Sequence, residues 1–403
     1  MQTASLHRIF IIAGIVSLLA SYIGIWIRLI NDPVERTGSD FIAFYSAGRV
    51  AQNAGMASVY NPLLQQQIQQ QEVGFPLIQG QVLLYNHLPF LLPILRTIVN
   101  TDYVASFYRW IILLIALYVT GIAILSKVLK QVEVDRSSNL LTAMGGLLFL
   151  PLFVSMMNGQ DTAFLFLGTS IWVYGLISGR EYLAGLGLSL TTVRPHIALF
   201  LAIPMLFRSA KVFIGFLIGS GILALLSVLI LGLNGTTEFI KIIFLSVSGE
   251  WYGMKENAMF NLIGLLTRTL PQLEAGIIRA IGWIVYAVAM IGLCILWFRT
   301  QDIKIGIIGL TVTLALFVVP HLHFHDLTLL LIPIYELIRI SRETGKLKTS
   351  IAIVLPIAIS LLLLISNISP YLQYTTPYLI MLGLALYPFS EKIRFPATKL
   401  HQS

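Results

Sequence analysis

Apolar runs about as long as a membrane is thick recur along the whole chain and constrain its fold more than any other feature. A bilayer core of roughly 30 Å needs about 20 apolar residues per helix, and the backbone groups of that helix must find their partners within it. The runs that approach this length are residues 9–30, 104–129, 140–157, 162–177, 212–233, 275–298, 305–319, 327–340, 351–368 and 375–388. They predict an all-α, polytopic membrane protein with about 12 transmembrane helices in a single domain over residues 1–403.

The composition excludes several other classes of protein. The chain is 57% hydrophobic and only 11% charged, whereas soluble domains carry roughly a quarter charged residues. These values exclude a soluble enzyme and a disordered chain. Cys294 is the only cysteine, which excludes a disulfide scaffold. The net charge of +8 does not indicate nucleic-acid binding, because the 26 Lys and Arg residues are scattered between apolar blocks.

One apolar segment, residues 182–207, is interrupted by Arg194 and Pro195. Proline breaks a helix and pushes the preceding residue out of the helical region. A charged side chain at this point is costly in lipid. We therefore expect two short helices that meet at Arg194 near one membrane face.

The distribution of basic residues predicts the orientation. Most Lys and Arg residues lie in alternate connections and in the tail, at residues 127–136, 180, 208–211, 299–304, 339–348 and 392–399. The positive-inside rule then places both termini in the cytoplasm. The first run lacks a small-residue cleavage site and is expected to be a retained helix. Residues 82–99, broken by His87, Pro89 and Pro93, are expected to form a re-entrant or outer-leaflet element.

In this topology two long connections, residues 31–81 and 234–262, lie on the extracytoplasmic side. Residues 40–49 predict a helix that lies along the membrane interface, capped by Ser39 or Asp40 and ended by Gly55. Residues 63–72 form either a second short helix or a solvated glutamine-rich loop. In the second connection, Trp251 and Tyr252 are expected to be interface anchors.

Polar side chains collect on the outer face of this predicted topology. They are Asp40, Gln160, Arg194, His196, Lys255 and the histidine-rich stretch 321–326. Because charge beside lipid is expensive, their convergence predicts a functional cavity. Each residue also has a structural alternative: Asp40 could cap a helix, Gln160 and Asp161 could form an ordinary turn before a helix, and Arg194 could reach toward headgroups.

The histidine-rich stretch also suggests a metal site. On a helix, His321 and His325 would share a face while His323 would point away. Neither a cysteine partner nor an HExxH motif accompanies them. The residues alone therefore define no metal or cofactor site, and hydrogen bonding to a sugar or phosphate is favoured over a divalent metal.

Several motifs, taken in order along the chain, resemble a known family. They are Ser39-Asp40-Phe41, Tyr45, Ala47, Val59-Tyr60-Asn61-Pro62, Asn158-Gly159-Gln160, Ala184-Gly185-Leu186, Arg194-Pro195 and Val319-Pro320-His321 to His325-Asp326. Together they resemble the GT-C superfamily of membrane glycosyltransferases and, within it, glycosyltransferase family 87, the polyprenyl-phosphate-mannose-dependent mannosyltransferases. The chain departs from the family pattern in three places. It has Arg194 where a lysine is usual, Tyr85-Asn86-His87-Leu88-Pro89 where a Tyr-x-Pro-Pro-like element is usual, and no tryptophan in its histidine-rich stretch.

The resemblance implies the chemistry and the residues that carry it. A hexose, mannose in the first place, would pass from a polyprenyl-phosphate donor to a hydroxyl of a glycolipid, glycan or protein acceptor, by a single inverting displacement. Asp40 would be the base, and Arg194, Lys255 and His321 would bind the donor phosphate. The remaining substrate-binding candidates are Tyr45, Asn158, Gln160, His196, His323, His325 and Asp326.

Three other classes share some of these features. A lipid-linked sugar transporter or flippase can also carry a broken helix with an arginine, although such proteins usually show internal repeats that this sequence lacks. An oligosaccharide polymerase or ligase is also polytopic with long outer loops. The third class is a non-catalytic membrane scaffold.

Overall fold

The computed structural model describes residues 2–37, 39–130, 136–248, 251, 255–300, 306–344 and 349–390, and within them the chain forms α-helices and no β-strand. The helices are α1 (Gln2–Asn31), α2 (Pro33–Thr37), α3 (Phe41–Asn53), α4 (Pro62–Val73), α5 (Leu92–Ile98), α6 (Tyr103–Lys130), α7 (Arg136–Leu147), α8 (Leu150–Asn158), α9 (Thr162–Ile177), α10 (Glu181–Leu190), α11 (Pro195–Arg208), α12 (Ala210–Ser248), α13 (Leu262–Thr269), α14 (Ala275–Arg299), α15 (Ile307–Val318), α16 (Leu331–Thr344), α17 (Thr349–Ser366) and α18 (Pro370–Ser390). The predicted all-α architecture is confirmed for these residues.

The helices divide into long and short apolar segments. Those long and apolar enough to cross a membrane are Ile11–Asn31, Tyr103–Leu129, Ala210–Ser246 and Ala275–Arg299. The pair Asn139–Leu147 and Leu150–Asn158 passes the same test as one span bent by 41°. The shorter apolar helices are Pro89–Ile98, Thr162–Ile177, Pro195–Arg208, Ile307–Val318 and Val354–Ser366. The chain is thus a helical membrane protein, while the 12 crossings and the orientation stay predictions.

Several of the Lys- and Arg-containing segments that predict the orientation are not described by the structure. Residues 131–135, 301–305 and 345–348 and the tail 392–399 lie outside the described residues.

The helices α9, α10 and α12 pack closely through glycine. A Cβ on Gly175 of α9 would lie 2.6 Å from the backbone nitrogen of Ala184 in α10. A Cβ on Gly187 of α10 would lie 2.8 Å from the carbonyl oxygen of Gly168. Small residues allow helix backbones to approach in this way inside a membrane. The packing fixes α10 and with it the point at which α10 ends.

The interruption in the apolar segment 182–207 is confirmed. Helix α10 ends at Leu190, Thr191–Val193 forms a 3-10 turn, and α11 begins at Pro195. Arg194 occupies the break with φ −126° and ψ 84°. The two short helices therefore meet at Arg194, as the sequence predicts.

The first long connection contains both of its predicted helices, α3 and α4. Most of α3 is buried, including Phe41, Phe44 and Tyr45. Other elements of the protein therefore enclose this helix, and its position along the membrane interface stays a prediction. Its end near Gly55 agrees with the prediction: α3 stops at Asn53, and Gly55 follows with φ 87°.

Two glutamines of α4 bind the extended backbone of residues 82–85. Gln65 donates to the Val59 carbonyl at 2.8 Å and accepts from the Tyr85 N–H at 2.7 Å. Gln69 donates to the Leu83 carbonyl at 2.7 Å and accepts from the Leu83 N–H at 3.2 Å. Both glutamine side chains are buried. The glutamine-rich stretch is thus a helix that positions the chain entering His87, and the alternative of a solvated loop is wrong.

The segment 82–99 continues as a 3-10 turn, Pro89–Leu91, and the seven-residue helix α5. At a rise of about 1.5 Å per residue this helix is too short to span a membrane. That length agrees with the predicted re-entrant or outer-leaflet element.

The second long connection differs from the prediction. Helix α12 continues through the expected loop to Ser248, with a kink at Gly232, where φ is 65°. Residues 239–245 are largely apolar and favour the helix. Trp251 is 5% exposed, so it is a core side chain rather than an interface anchor. Tyr252 lies outside the described residues.

Candidate active site

The carboxylate of Asp40 lies at the start of α3 and is half-buried. Its side chain forms no capping hydrogen bond to α3. It instead accepts a hydrogen bond of 2.7 Å from Nε2 of Gln160. The side chain of Asp40 therefore does not cap α3. Its carboxylate is held by Gln160, a residue from another part of the chain.

Gly159 makes this contact sterically feasible. It ends α8 in the left-handed region with φ 69°, and an added Cβ would lie 2.7 Å from Cβ of Phe41. Both facts favour glycine, because an L-residue is strained at this φ and would collide with α3. The Gly159 carbonyl accepts a 2.7 Å hydrogen bond from Nε1 of Trp110. The turn is thus fixed against α3, with Gln160 facing Asp40.

Arg194 holds the other end of the Gln160 amide. Its Nη2 donates to Oε1 of Gln160 at 3.1 Å, and its Nη1 lies 2.9 Å from Oδ1 of Asp161. Its Nε lies 3.5 Å from Oδ1 of Asp326. The guanidinium is buried, so the alternative in which Arg194 reaches toward headgroups is wrong. Its planar fork instead joins the 158–161 turn to the 321–326 stretch.

Asp161 and Asp326 are fully buried and have further partners. Oδ2 of Asp161 lies 2.7 Å from Nδ1 of His87. Asp326 accepts from the Thr162 hydroxyl at 3.2 Å and from the His323 N–H at 3.2 Å, and it lies 3.7 Å from Nε2 of His325. Because charge is costly to bury without partners, these contacts are what allow both carboxylates to stay ionised.

The pKa values of the two carboxyls follow from these contacts. Burial acts to raise the pKa of Asp161, but Arg194 and His87 outweigh it and lower this pKa to about 2. Burial also acts to raise the pKa of Asp326, and His325 and Arg194 lower it well below its usual range. Both side chains are therefore anionic at neutral pH.

Four histidines form a row beside Asp326, which we call the histidine row: His196, His321, His323 and His325. Ring centroids are 6.1 Å apart for His196 and His321, 4.6 Å for His321 and His323, and 5.7 Å for His323 and His325. Burial lowers the pKa of His323 to about 4 and that of His321 well below its ordinary value. Neutral imidazoles can hydrogen-bond to a phosphate or a hydroxyl but add no positive charge.

The amino-acid sequence of the chain matches the model of one known protein family. Residues 87–320, more than half of the 403-residue chain, match the model of glycosyltransferase family 87. The chain belongs to glycosyltransferase family 87. No curated protein matches the chain in sequence. This family 87 member is therefore a membrane glycosyltransferase, and the matched stretch contains His87, Gln160, Asp161 and Arg194.

Three predicted site residues have other surroundings. The Tyr45 hydroxyl donates to the Thr101 carbonyl at 3.4 Å, and its ring packs against Tyr103. Asn158 is half-buried at the end of α8. Lys255 is exposed and begins the 3-10 turn Glu256–Ala258. Tyr45 packs against other protein groups in this structure, and substrate contact by Tyr45, Asn158 and Lys255 stays a prediction.

The acidic and histidine side chains of the site are paired with one another and with Arg194. Among the residues that the structure describes, no group of three or more His, Cys, Asp or Glu side chains is placed to hold a metal ion. The guanidinium of Arg194 lies between the carboxylates of Asp161 and Asp326 and supplies their positive partner.

Two residues of the site were missed as functional by sequence reasoning. Asp161 has the position of a helix cap but forms no capping bond, and its carboxylate pairs with Arg194 and His87 instead. In sequence, His87 interrupts an apolar stretch and belongs to an element that departs from the family pattern, but neither feature assigns it a role. A titratable side chain in a segment placed beside lipid is itself an indication of function, and this could have identified His87.

Proposed function

We propose that this family 87 glycosyltransferase moves a hexose from a polyprenyl-phosphate donor to an acceptor hydroxyl at the extracytoplasmic face. The hexose we propose is mannose. The resemblance of its motifs to polyprenyl-phosphate-dependent mannosyltransferases supports the donor class. Exposed apolar side chains on helices such as α12 and α14 supply a surface that a polyprenyl tail can contact.

The observation that carries the mechanism is the 2.7 Å hydrogen bond from Gln160 to Asp40. It fixes one half-buried carboxylate at the edge of a buried ionic network. In the reaction the acceptor oxygen attacks the anomeric carbon as the bond from that carbon to the phosphate oxygen breaks. Asp40 takes the hydroxyl proton, and polyprenyl phosphate leaves. A single displacement inverts the anomeric centre and needs one carboxylate only.

Arg194 then positions the base. Its guanidinium contacts Gln160 and two carboxylates at once, so a donor phosphate at this point would meet Asp161 and Asp326 as well. This charge distribution favours a positioning role for Arg194 over the predicted phosphate contact. Lys255 and the histidine row remain the candidate phosphate partners.

The test of this function uses the purified protein in lipid nanodiscs. Polyprenyl-phosphate-mannose, polyprenyl-phosphate-glucose and a nucleotide-activated mannose are offered as donors to a glycan acceptor. We expect transfer from the polyprenyl-phosphate donors only, with an inverted anomeric configuration in the product. Transfer from the nucleotide sugar, or retention of configuration, would contradict the proposal. Movement of the lipid-linked sugar across vesicles without transfer would favour a flippase.

A further inference from the structure

Several contacts hold both the backbone and the ring of His87. Its backbone carbonyl accepts a 2.7 Å hydrogen bond from the Tyr60 hydroxyl, and Gln65 holds the N–H of the neighbouring Tyr85. Its ring lies 4.5 Å from that of Phe44 and 5.3 Å from that of Tyr85, measured between centroids. The position and plane of the imidazole are therefore fixed from several sides.

Two routes join this ring to the base. Asp161, which binds Nδ1 of His87, directly follows Gln160, which binds Asp40. Phe44, which packs on the ring, is four residues after Asp40, and such residues share a face of a helix. His87 and Asp40 are thus joined through Asp161 and Gln160 on one side and through α3 on the other.

The chemistry of the ring leaves one nitrogen for another partner. The ionised Asp161 carboxylate can only accept, so Nδ1 of His87 donates to it. Nε2 is then the ring nitrogen left for a substrate, and it accepts a hydrogen bond when the ring carries a single proton. The His87 side chain is 13% exposed, whereas that of Asp161 is fully buried. Asp161 already pairs with Arg194 at 2.9 Å, so its charge does not depend on His87 alone.

We propose that Nε2 of His87 accepts a hydrogen bond from a hydroxyl of a hexose, either the sugar being transferred or the acceptor sugar, next to the Asp40 base. This assignment rests on the proposed function, since it takes sugar transfer at this site as given. It makes His87 a substrate-binding residue in the segment where the chain departs from the usual family pattern.

The test compares two substitutions, one that replaces the function of Nδ1 and one that replaces the function of Nε2. His87→Asn keeps an amide that can donate to Asp161 but has no atom at the Nε2 position. His87→Gln has an amide oxygen near the Nε2 position and can still accept from a hydroxyl. Asn86→Ala, at the exposed neighbouring residue, is the control. The measurements are KM for donor and acceptor, kcat, and thermal unfolding.

His87→Asn is expected to raise KM for one of the two sugars about fivefold, the effect of one lost neutral hydrogen bond, with kcat changed less. His87→Gln should recover part of this loss, and Asn86→Ala should match the wild type. The affected substrate tells whether the hydroxyl belongs to the donor or to the acceptor. Equal losses of kcat and stability in both His87 variants, with both KM values unchanged, would overturn the assignment.

Deoxy sugars test the same point in the wild-type protein. Removing the bound hydroxyl from the substrate should raise KM for wild type but add nothing in His87→Asn. If every deoxy analogue acts additively with the variant, the proposal is wrong. These outcomes are separate from the base assignment, because an inactive Asp40→Asn protein with unaffected His87 variants would refute only the role of His87.

Discussion

Gln160 donates a 2.7 Å hydrogen bond to the carboxylate of Asp40 across 120 residues of sequence. The same amide accepts from Arg194 at 3.1 Å, so its orientation is set from both ends. An amide held in this way presents its N–H to Asp40 and cannot rotate to present its oxygen. The proposed base is thereby fixed by a neutral donor, which leaves its carboxylate able to accept a proton.

Replacing Gln160 should impair the chemistry more than substrate binding. Gln160→Ala removes the donor to Asp40, and a misplaced catalytic group costs about 10- to 100-fold in rate. We expect kcat to fall by this factor while KM for the donor changes little. Asn139→Ala, at a buried amide of α7 that is not part of the network, controls for loss of a buried amide. A normal kcat in Gln160→Ala would show that this hydrogen bond does not position the base.

Gly159→Ala should damage both fold and activity. The added Cβ would approach Phe41 to 2.7 Å, and the residue has φ 69°. Left-handed geometry alone costs an L-residue about 1–2 kcal/mol. We expect a lower unfolding temperature and reduced transfer. Gly80→Ala, where a Cβ would meet nothing within 4 Å, should leave both unchanged. Equal behaviour of the two variants would refute the close approach.

Arg194 substitutions separate positioning from phosphate binding. Arg194→Met leaves Asp161 and Asp326 buried without their cation, which should destabilise the protein by about 3–5 kcal/mol. Arg194→Lys keeps the charge but loses the fork, so we expect a folded protein with lower kcat and near-normal donor KM. Lys211→Gln, at an exposed ion pair, is the control. A large rise in donor KM at unchanged kcat would establish the phosphate contact instead.

The histidine row predicts a pH dependence of stability. The pKa of His323 is about 4 in the folded protein against an ordinary value of 6.5. Between these values the unfolded chain takes up a proton that the folded chain does not, so stability falls as pH decreases from 6.5 toward 4. His323→Gln should weaken this dependence in thermal unfolding. An identical pH profile for the variant would contradict the neutral, buried state of His323.

Much of the framework could be predicted from the sequence because it depends on local patterns. Long apolar runs predict helices, and the Arg194-Pro195 pair predicts the break between α10 and α11. The predicted convergence of polar side chains on one face also holds for Gln160, Arg194 and Asp326, which are linked by direct contacts to Asp40 or to one another. The helices and the break need only one segment at a time, whereas the convergence follows from the predicted order of crossings.

The remaining features depend on contacts between distant segments. No local pattern shows that Asp161 faces His87, 74 residues earlier in the chain, rather than capping α9. In sequence the glutamines of α4 fit either a short helix or a solvated loop, and their burial against residues 82–85 is visible only in the structure. Trp251 likewise resembles an interface anchor until its burial is known.

The most direct test of the account is sugar transfer by Asp40→Asn. An asparagine oxygen can still accept the hydrogen bond from Gln160, so the fold should be retained while the base is lost. In nanodiscs supplied with polyprenyl-phosphate-mannose, we expect transfer to fall at least ~100-fold, with donor binding and unfolding temperature unchanged. Glu238→Gln, at an exposed acid of α12, should transfer normally. Near-normal transfer by Asp40→Asn would contradict the assignment of Asp40 as the base.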